Sequence, residues 1–390
     1  MLSRLVLQIT EALVTGQVQV GRASWTDLGM YVPQVQRAIE LGQKWCADDL
    51  IPGLAWGIVA PGKLSEVVCA GRQKSAGPPV EPDTRFLVAS LTKPIVAMGL
   101  LLLCERGLLS LNDRVVDWLP EFRDAGKRAV TLRHLLTHTS GLPDQLPDNH
   151  ALRQAHSPLP AFVAGACAVP LEFVPGRAVR YQSMGYGLLG EIMERVTGTA
   201  LSEFLRESIF EPLGMRATLL GGAAAAHASV AEIRVPADQQ DGPAWNWNSP
   251  YWRGLGAPWG GLISTVEDLC RFCHCLLADG AGPLGRVFSP ATVQLAVGNR
   301  LEEFPELGEA ERRARAWGYG WRHNWLDHRS VFSDLLPPTA VGHWGAVGTL
   351  FWLDFASRRA AVLLSTLPVE RQASPLTRLS NAILASWVAD

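Results

Sequence analysis

The stretch Val88-Ala-Ser-Leu-Thr-Lys-Pro94 (VASLTKP) lies where a turn leads into a long apolar segment. It places Ser90 three residues before Lys93 and ends in a proline. Only five of the 35 basic residues of the chain are lysines, so this lysine calls for a chemical explanation. A helix that begins at Ser90 carries both side chains on one face, one turn apart. Pro94 is tolerated there because the first-turn N–H groups have no acceptor within the helix.

The predicted helix start gives this pair a chemical role. The positive end of the helix dipole favours negative charge on the Ser90 oxygen and disfavours the ammonium form of Lys93. Burial against Ile95, Val96 and Leu100 lowers the pKa of Lys93 further. A lysine that is partly neutral near pH 7 can accept the serine proton, which predicts a nucleophile and its base. Taken alone, the motif also fits a capped helix with an incidental lysine.

Two later stretches add polar residues in a similar setting. Tyr181 and Ser183 stand just before a predicted helix, in the segment 173–190. His343 and Gly345 stand in Val341-Gly-His-Trp-Gly-Ala346, on a predicted strand. Singly, the tyrosine fits a buried packing residue and the histidine a strand residue that faces solvent. In this order along one chain, the three stretches favour a serine hydrolase.

With these motifs, the chain resembles the serine β-lactamase-like, penicillin-recognising hydrolases. The branch it resembles contains class C β-lactamases, D-alanyl-D-alanine carboxypeptidases and family VIII carboxylesterases. Ser90-Leu-Thr-Lys93 looks like the first family motif, Tyr181-Gln-Ser183 like the second (usually Tyr-x-Asn), and His343-Trp-Gly345 like the third (usually Lys-Thr-Gly or His-x-Gly). The segments 131–143 and 258–268 agree, and the resemblance covers roughly residues 35–388.

The resemblance implies a role for each motif residue. Ser90 would attack a carbonyl carbon and become acylated. Tyr181, kept phenolate-like by Lys93, would carry protons to the leaving group and then activate water. The backbone N–H groups of Ser90 and Ala346 would form an oxyanion hole, in which one donor is worth about 3–4 kcal/mol in known hydrolases. Gly345 lies on a strand whose edge could pair with an extended acyl chain.

Two departures from the family pattern bear on the substrate. Ser183 stands where an asparagine is usual, and its shorter side chain cannot span the same distance, which favours simple esters over β-lactams or peptidoglycan. His343 replaces the lysine of the third motif, so an obligatory substrate carboxylate is less strongly implied. The expected substrate-binding set contains these two motifs and two residues of a tryptophan-rich loop at 245–259, which either lines an apolar pocket or packs in the core: Ser183, His343, Trp344, Gly345, Trp252 and Trp259.

The composition limits the partners of the protein. The 390 residues are 48% hydrophobic and 18% charged with a net charge of −2, which gives no indication of a nucleic-acid partner. No apolar run reaches membrane-spanning length. Seven cysteines, an odd number, favour reduced thiols. The segment 1–17 fits an amphipathic helix better than an export signal, so we expect a cytoplasmic protein. The oligomeric state stays open.

Two further patterns suggest a cofactor or metal, and we reject both. Cys270-Arg-Phe-Cys273-His274 matches a haem attachment motif but lies inside a predicted helix. His134 and His138 are four residues apart on a helical segment, yet no glutamate follows His134, so we expect a structural role. We therefore predict no cofactor and no metal ligand, and a small-molecule ester or amide as the substrate.

The pattern of apolar residues predicts an α+β fold of the β-lactamase/transpeptidase type, with an antiparallel sheet flanked by helices and a mainly helical insertion. Residues 1–88 and 315–390 are predicted to form a discontinuous sheet domain and 89–314 a helical domain, with the active site at their interface. A capping box is predicted from Ser264 to Glu267. The other predicted helices are 31–47, 90–106, from 132, 185–196, 201–210 and 376–388, and the predicted strands are 53–60, 66–70, 317–321, 342–347, 349–354 and 360–365.

These observations predict a serine hydrolase that cleaves carboxylic esters through an acyl-enzyme, with weak β-lactam hydrolysis as a side activity. One alternative keeps the catalytic residues and changes the substrate, giving a D-amino-acid peptidase or a β-lactamase. A second alternative is a non-catalytic binding or assembly module that retains the fold. The complete Ser90, Lys93 and Tyr181 set argues against the second alternative, because a binding module has no need for a polarised serine.

Overall fold

The structure is a computed structural model that describes residues 17–124, 126–235, 245–325, 332–369 and 375–388. The predicted N-terminal amphipathic helix lies outside this part, except for Gln17. Within the described ranges, no helix has the length and apolar character needed to cross a bilayer.

A mixed sheet joins the two ends of the chain. Its strands run in the order β1-β3-β2-β13-β12-β11-β10, with β4 also paired to β2. Only β1 and β3 pair in parallel; the other neighbours are antiparallel. The central β2–β13 pair therefore connects the first quarter of the chain to its last. The strands are β1 (Gly21–Arg22), β2 (Gly53–Ala60), β3 (Lys63–Leu64), β4 (Val68–Gly71), β10 (Arg322–His323), β11 (Val341–Gly345), β12 (Thr349–Asp354) and β13 (Arg359–Ser365).

Helices and two small sheets fill the middle of the chain. One small sheet has the order β5-β7-β6 and the other pairs β8 with β9. Their strands are β5 (Phe86–Leu87), β6 (Leu219–Leu220), β7 (Leu262–Ser264), β8 (Ala281–Gly282) and β9 (Gly285–Arg286). The α-helices of the described residues are α1 (Val32–Ala47), α2 (Thr92–Glu105), α3 (Val115–Trp118), α4 (Leu132–Leu136), α5 (Asn149–Gln154), α6 (Leu159–Ala168), α7 (Met184–Thr197), α8 (Leu201–Leu205), α9 (Glu211–Leu213), α10 (Gly222–Ala226), α11 (Pro250–Leu255), α12 (Val266–Leu277), α13 (Pro290–Val297), α14 (Glu309–Ala314) and α15 (Pro375–Leu384).

The alternation of side chains along β2 explains how the main sheet is covered on both faces. Trp56 and Ile58 point into a core that α1 and α15 close, whereas Ala55 and Val59 point into the larger core shared with the helices. Gly57 lets α12 approach the sheet, since a Cβ atom there would lie 2.9 Å from Val266 Cγ1. All of β2 is buried, which fits its continuous apolar run.

The start of α2 is fixed from several directions by the fold. The Thr92 hydroxyl donates to the Ala89 carbonyl at 2.6 Å and accepts from the Leu262 N–H of β7 at 3.1 Å. The Thr349 hydroxyl of β12 donates to the Val88 carbonyl at 2.8 Å. The whole of Thr92–Leu103 is buried. The segment that carries Ser90 and Lys93 is therefore held between the main sheet and the small β5-β7-β6 sheet.

Most predicted elements are present with shifts of a residue or two at their ends. The strands at 53–60 and 349–354 have the predicted bounds, and α1, α2 and α7 lie where the helical spacing places them. The predicted α+β architecture is confirmed, with the parallel β1–β3 pair as the exception to an antiparallel sheet. The boundaries of the two domains stay a prediction.

The predicted capping box at Ser264 is wrong by one residue. Ser264 is the last residue of β7, and its hydroxyl shares a 2.8 Å hydrogen bond with Thr218. Thr265 caps α12 instead, accepting from the Asp268 N–H at 3.2 Å. Glu267 bonds to Arg271 rather than reaching back to the cap.

Three other predicted elements differ from the structure. Residues 317–321 form a turn rather than a strand, because Gly320 has a φ of +80° and the Gly318 N–H closes on the Trp321 carbonyl at 2.7 Å. The predicted return strand at 66–70 begins two residues later, as β4, and the short strand β3 precedes it. The last helix ends at Leu384 rather than at 388.

Candidate active site

Ser90 lies in a 3₁₀ turn (Ala89–Leu91) immediately before α2. The preceding residue, Ala89, has a φ of +48°, a left-handed conformation that costs free energy for any residue with a Cβ atom. The hydrogen bond from Thr92 to the Ala89 carbonyl helps to hold this conformation. The strained turn presents Ser90, which is only partly buried, ahead of a buried helix.

Lys93 is fully buried directly behind Ser90. Its Nζ lies 3.2 Å from Ser90 Oγ and donates to the Trp259 carbonyl at 2.8 Å. Burial lowers the pKa of Lys93 to about 7, and the negative charge of Asp144 opposes this shift only in part. Near neutral pH, much of the protein therefore carries an uncharged amine within hydrogen-bonding distance of the serine hydroxyl.

Tyr181 lies close to both Ser90 and Lys93. Its ring centre lies 4.7 Å from Lys93 Nζ, and its hydroxyl is hydrogen-bonded to Ser90. Burial raises the pKa of Tyr181 well above its usual value, despite that hydrogen bond. The resting residue is therefore a phenol, which corrects the expected phenolate: desolvation of the ring outweighs the hydrogen bond with Ser90 and the charge of Arg322, both of which lower its pKa.

Strand β11 passes close to the 3₁₀ turn because Gly345 has no side chain. A Cβ atom at this position would collide with the Val88 carbonyl oxygen and with Thr349 Oγ1, and would lie 3.2 Å from the Ala89 Cβ. The N–H groups of Ser90 and Ala346 have no protein acceptor among the described residues. The close approach therefore leaves two donors available beside the serine, as the oxyanion-hole expectation requires.

His343 is buried next to the same cluster rather than facing solvent. Its ring centre lies 5.9 Å from that of Tyr181, and its Nδ1–H donates to the Trp344 carbonyl at 2.8 Å. Burial, reinforced by the charge of Lys93, lowers the pKa of His343 to about 3, so the ring is neutral at pH 7. Its Nε2 atom is buried and has no partner in the described part of the chain.

The remaining predicted substrate-binding residues lie in different places. The Ser183 hydroxyl donates to Asp144 Oδ1 at 2.8 Å beside Tyr181. Trp259 reaches the site through its carbonyl, while its ring packs on Phe162 at 5.7 Å between centres. Trp252 is buried and stacks near Trp245 and the Arg153 guanidinium. Trp344 packs on the opposite face of the sheet, with the core that α1 and α15 close.

The structure adds two residues to the site that were not among the predicted site residues. His138 lies with its ring centre 4.7 Å from that of Tyr181 and 4.3 Å from that of Trp317. It has a φ of +61°, and its Nδ1 accepts from the Gln182 N–H at 3.2 Å. The charge of buried Arg322 of β10 lowers the pKa of Tyr181, and burial lowers the pKa of Arg322 itself to about 10.

Both His134 and His138 accept backbone hydrogen bonds, as the expected structural role requires, but only His138 lies beside Tyr181. The His134 ring packs on Phe304, and its Nδ1 accepts from the Thr131 N–H at the start of α4. The left-handed backbone at His138 turns its own ring in another direction, into the site. Only the surrounding Thr-His-Thr-Ser-Gly stretch, within a segment that matches the family, could have indicated this position.

Cysteines and acidic residues form no alternative centre in the described ranges. The seven cysteines are free, and Cys270, Cys273 and Cys275 are buried in α12. No group of three histidine, cysteine or acidic residues in the described part is arranged to hold a metal ion.

This constellation agrees with comparisons to known proteins. A family model described as Beta-lactamase matches residues 35–384. The chain belongs to the beta-lactamase family. Esterase EstB of Burkholderia gladioli is 31% identical over 347 residues, covering 80% of this chain and 85% of that protein. Penicillin-binding protein 4 of Amycolatopsis lactamdurans is 30% identical over 309 residues, covering 77% of this chain and 76% of that protein.

Solved structures show the same fold across almost the whole of this beta-lactamase family member. A penicillin-binding protein homologue from Caulobacter crescentus superposes with a TM-score of 0.74 at 25% identity, covering 91% of this chain and 97% of that one. A family VIII carboxylesterase superposes with a TM-score of 0.74 at 22% identity, covering 92% and 98%. The predicted family and fold are confirmed, and with them the prediction of a serine hydrolase.

Proposed function

We propose that this protein hydrolyses carboxylic esters through an acyl-enzyme on Ser90. The observation that carries the proposal is the buried amine of Lys93, with its pKa near neutrality, 3.2 Å from the Ser90 hydroxyl. The likeness to an esterase, at 31% identity over most of both chains, supports an ester as the substrate.

In the acylation step, neutral Lys93 takes the proton of Ser90 while Ser90 Oγ forms a bond to the ester carbonyl carbon. The N–H groups of Ser90 and Ala346 would stabilise the developing oxyanion. As the C–O bond to the alcohol breaks, the leaving oxygen receives a proton from the Tyr181 hydroxyl, and Tyr181 is reprotonated by the ammonium of Lys93. The step ends with an ester on Ser90, a neutral lysine and a free alcohol.

Deacylation repeats this sequence with water. Neutral Lys93, directly or through Tyr181, takes a proton from a water molecule as its oxygen attacks the acyl carbon. The Ser90 oxygen then leaves and recovers a proton from the ammonium. The acid is released, and the site returns to its starting protonation state without a cofactor.

The choice of esters over β-lactams rests on Ser183. An asparagine at this position could donate from its amide to a substrate carbonyl group, whereas the Ser183 hydroxyl is committed to Asp144. The likeness to a penicillin-binding protein supports the second candidate, a D-amino-acid peptidase or β-lactamase with the same catalytic residues.

We test this choice by measuring kcat/KM for p-nitrophenyl butanoate and for a chromogenic cephalosporin, on the wild type and on Ser90→Ala. We expect the ester to be the better substrate and both activities to be lost in the variant, together with labelling by a fluorophosphonate. A higher kcat/KM on the cephalosporin would favour the second candidate. A protein that is unlabelled and inert on both substrates would favour the binding module.

Location and domain organisation are part of the same proposal. Seven free thiols support a reducing, cytoplasmic location. Ser90, Lys93 and Tyr181 come from the predicted helical domain, and His343 to Ala346 from the predicted sheet domain. Their proximity supports the placement of the active site between the two.

A further inference from the structure

Asp144 is hydrogen-bonded to Ser183, the residue at which the second motif of this chain differs from its family pattern. The Ser183 hydroxyl donates to Asp144 Oδ1 at 2.8 Å, and the Ser183 N–H donates to the Asp144 backbone carbonyl at 3.2 Å. Two hydrogen bonds thus hold Asp144 beside Ser183, which is two residues after Tyr181. The side chain of Asp144 is only half-buried, so it borders open space.

The charge of Asp144 acts on the catalytic group. It opposes the lowering of the Lys93 pKa and adds to the raising of the Tyr181 pKa, so it lies close enough to influence both. Among the described residues, no basic group forms an ion pair with Asp144. Arg153, on which the charge of Asp144 acts, donates instead to Gln145 Oε1 at 3.1 Å and is enclosed by the rings of two tryptophans.

The mechanism leaves this carboxylate without an ion-pair partner among the described residues. When Lys93 is neutral, as the acylation step requires, the positive charge beside Ser90 disappears, and the charge of Arg153 acts on Asp144 without forming an ion pair. A carboxylate accepts hydrogen bonds and cannot donate them, so it repels the carbonyl oxygen that an asparagine amide would bind. A positively charged substituent on the substrate supplies the missing ion-pair partner of Asp144. It also presents no lone pair that the carboxylate would repel.

We propose, resting on the esterase function above, that Asp144 is a specificity residue that selects esters with a cationic group a few atoms from the scissile carbonyl. The substrate class is thus the ester of an amino acid, a quaternary ammonium acid or an amino alcohol, rather than a plain fatty acyl ester. Ser183 has a positioning role, since its hydroxyl orients the carboxylate.

The test compares isosteric substrates that differ only in charge. The acyl-side pair is p-nitrophenyl 4-(trimethylammonio)butanoate against p-nitrophenyl 5,5-dimethylhexanoate. The alcohol-side pair is choline butanoate against 3,3-dimethylbutyl butanoate, followed by proton release. The readout is the ratio of kcat/KM within each pair, which cancels any general loss of activity. In at least one pair, the wild type should favour the cation by about tenfold, as expected for a partly screened ion pair.

Asp144→Asn should reduce that ratio to about one, because the amide oxygen can still accept from Ser183 while the charge is lost. The matched control is Asp148→Asn, which removes one charge from an exposed position four residues away that makes no side-chain cap bond. The control should keep the wild-type ratio. Equal ratios in the wild type and Asp144→Asn, or a loss of the ratio in Asp148→Asn as well, would overturn the proposal.

A binding measurement separates this proposal from the esterase proposal. Ser90→Ala cannot form the acyl-enzyme, so calorimetric titration gives the Kd of each ester without turnover. We expect about tenfold tighter binding of the cationic ester, lost in the double variant Ser90→Ala/Asp144→Asn. A wild type that hydrolyses none of the esters but keeps this Kd ratio refutes the esterase alone, whereas equal Kd values refute the role of Asp144.

Discussion

Lys93 determines how the activity of this site depends on pH. Its neutral form is the base, and its pKa is about 7, so kcat/KM on an uncharged p-nitrophenyl ester should rise about tenfold per unit below pH 7 and level off above it. The measurement is a rate profile from about pH 5 to about pH 9. Asp144→Asn is the matched comparison: losing a negative charge that stabilises the ammonium should move the midpoint to lower pH. A profile that is flat across this range contradicts a lysine base.

The same residue should reduce the stability of the fold. The pKa of Lys93 is 10.5 in a model peptide and about 7 in the folded protein. Between these values the unfolded chain binds more protons, so this group makes stability rise with pH from about 7 to about 10.5. Lys93→Met should therefore raise the free energy of unfolding at pH 7 by about 2 kcal/mol, after allowing for the unpaired Trp259 carbonyl.

Urea denaturation at two pH values tests this trade between stability and activity. The gain from Lys93→Met should be large at pH 7 and shrink towards pH 10, while esterase activity is absent at both. If the variant is less stable than the wild type at pH 7, burial of the amine does not carry the cost assigned to it.

At the scale of elements, the contact between β11 and the 3₁₀ turn depends on Gly345. Gly345→Ala places a methyl group against the Val88 carbonyl oxygen and Thr349 Oγ1, so the strand must move away from Ser90. We expect a loss of about 2–3 kcal/mol in unfolding free energy and a fall of about a hundredfold in kcat/KM. Thermal unfolding and ester turnover give the two values.

Gly308→Ala is the control for this substitution, because a Cβ atom at Gly308 meets nothing within 4 Å. It should change the unfolding free energy by no more than about 0.5 kcal/mol and kcat/KM by no more than about twofold. Wild-type turnover in Gly345→Ala would show that Ala346 is not held against the serine by this contact.

The start of α12 offers a second test at this scale. Thr265→Ala removes the hydroxyl that accepts from the Asp268 N–H and should cost about 1 kcal/mol in urea denaturation. Thr265→Ser keeps the oxygen and should retain most of the stability. Were both variants equally destabilised, the loss would come from packing of the threonine methyl group rather than from the cap.

For the whole molecule, the central pairing of β2 with β13 should unite the two ends of the chain in one cooperative unit. Backbone amides on Gly53–Ala60 and Arg359–Ser365 should exchange with deuterium at the same slow rates, with opening free energies equal to that of global unfolding. Hydrogen exchange followed by mass spectrometry measures this. Faster exchange of β13 alone would show that the C-terminal strands open separately.

The sequence patterns predicted the local helices and strands well. They predicted less well which distant residues surround the site and how burial changes its protonation states. The run 53–60 is apolar and bounded by Pro52 and Pro61, so both its type and its ends could be derived. The Ser90–Lys93 pair could be derived because one helical turn fixes its geometry. Asp144 and His138 could not, because loops bring them to the site through contacts between distant parts of the chain. The phenol form of Tyr181 depends on desolvation, which only packing reveals.

The enclosure of α2 on every side has a consequence for changing what this protein acts on. Alterations along Thr92–Leu103 would disturb the large core shared by the sheet and the helices, so the positions of the nucleophile and its base are difficult to change. Laboratory evolution towards new substrates should therefore spare this helix and randomise the loop at Asp144. Variants recovered from such a library should retain wild-type melting temperatures while differing in which esters they accept.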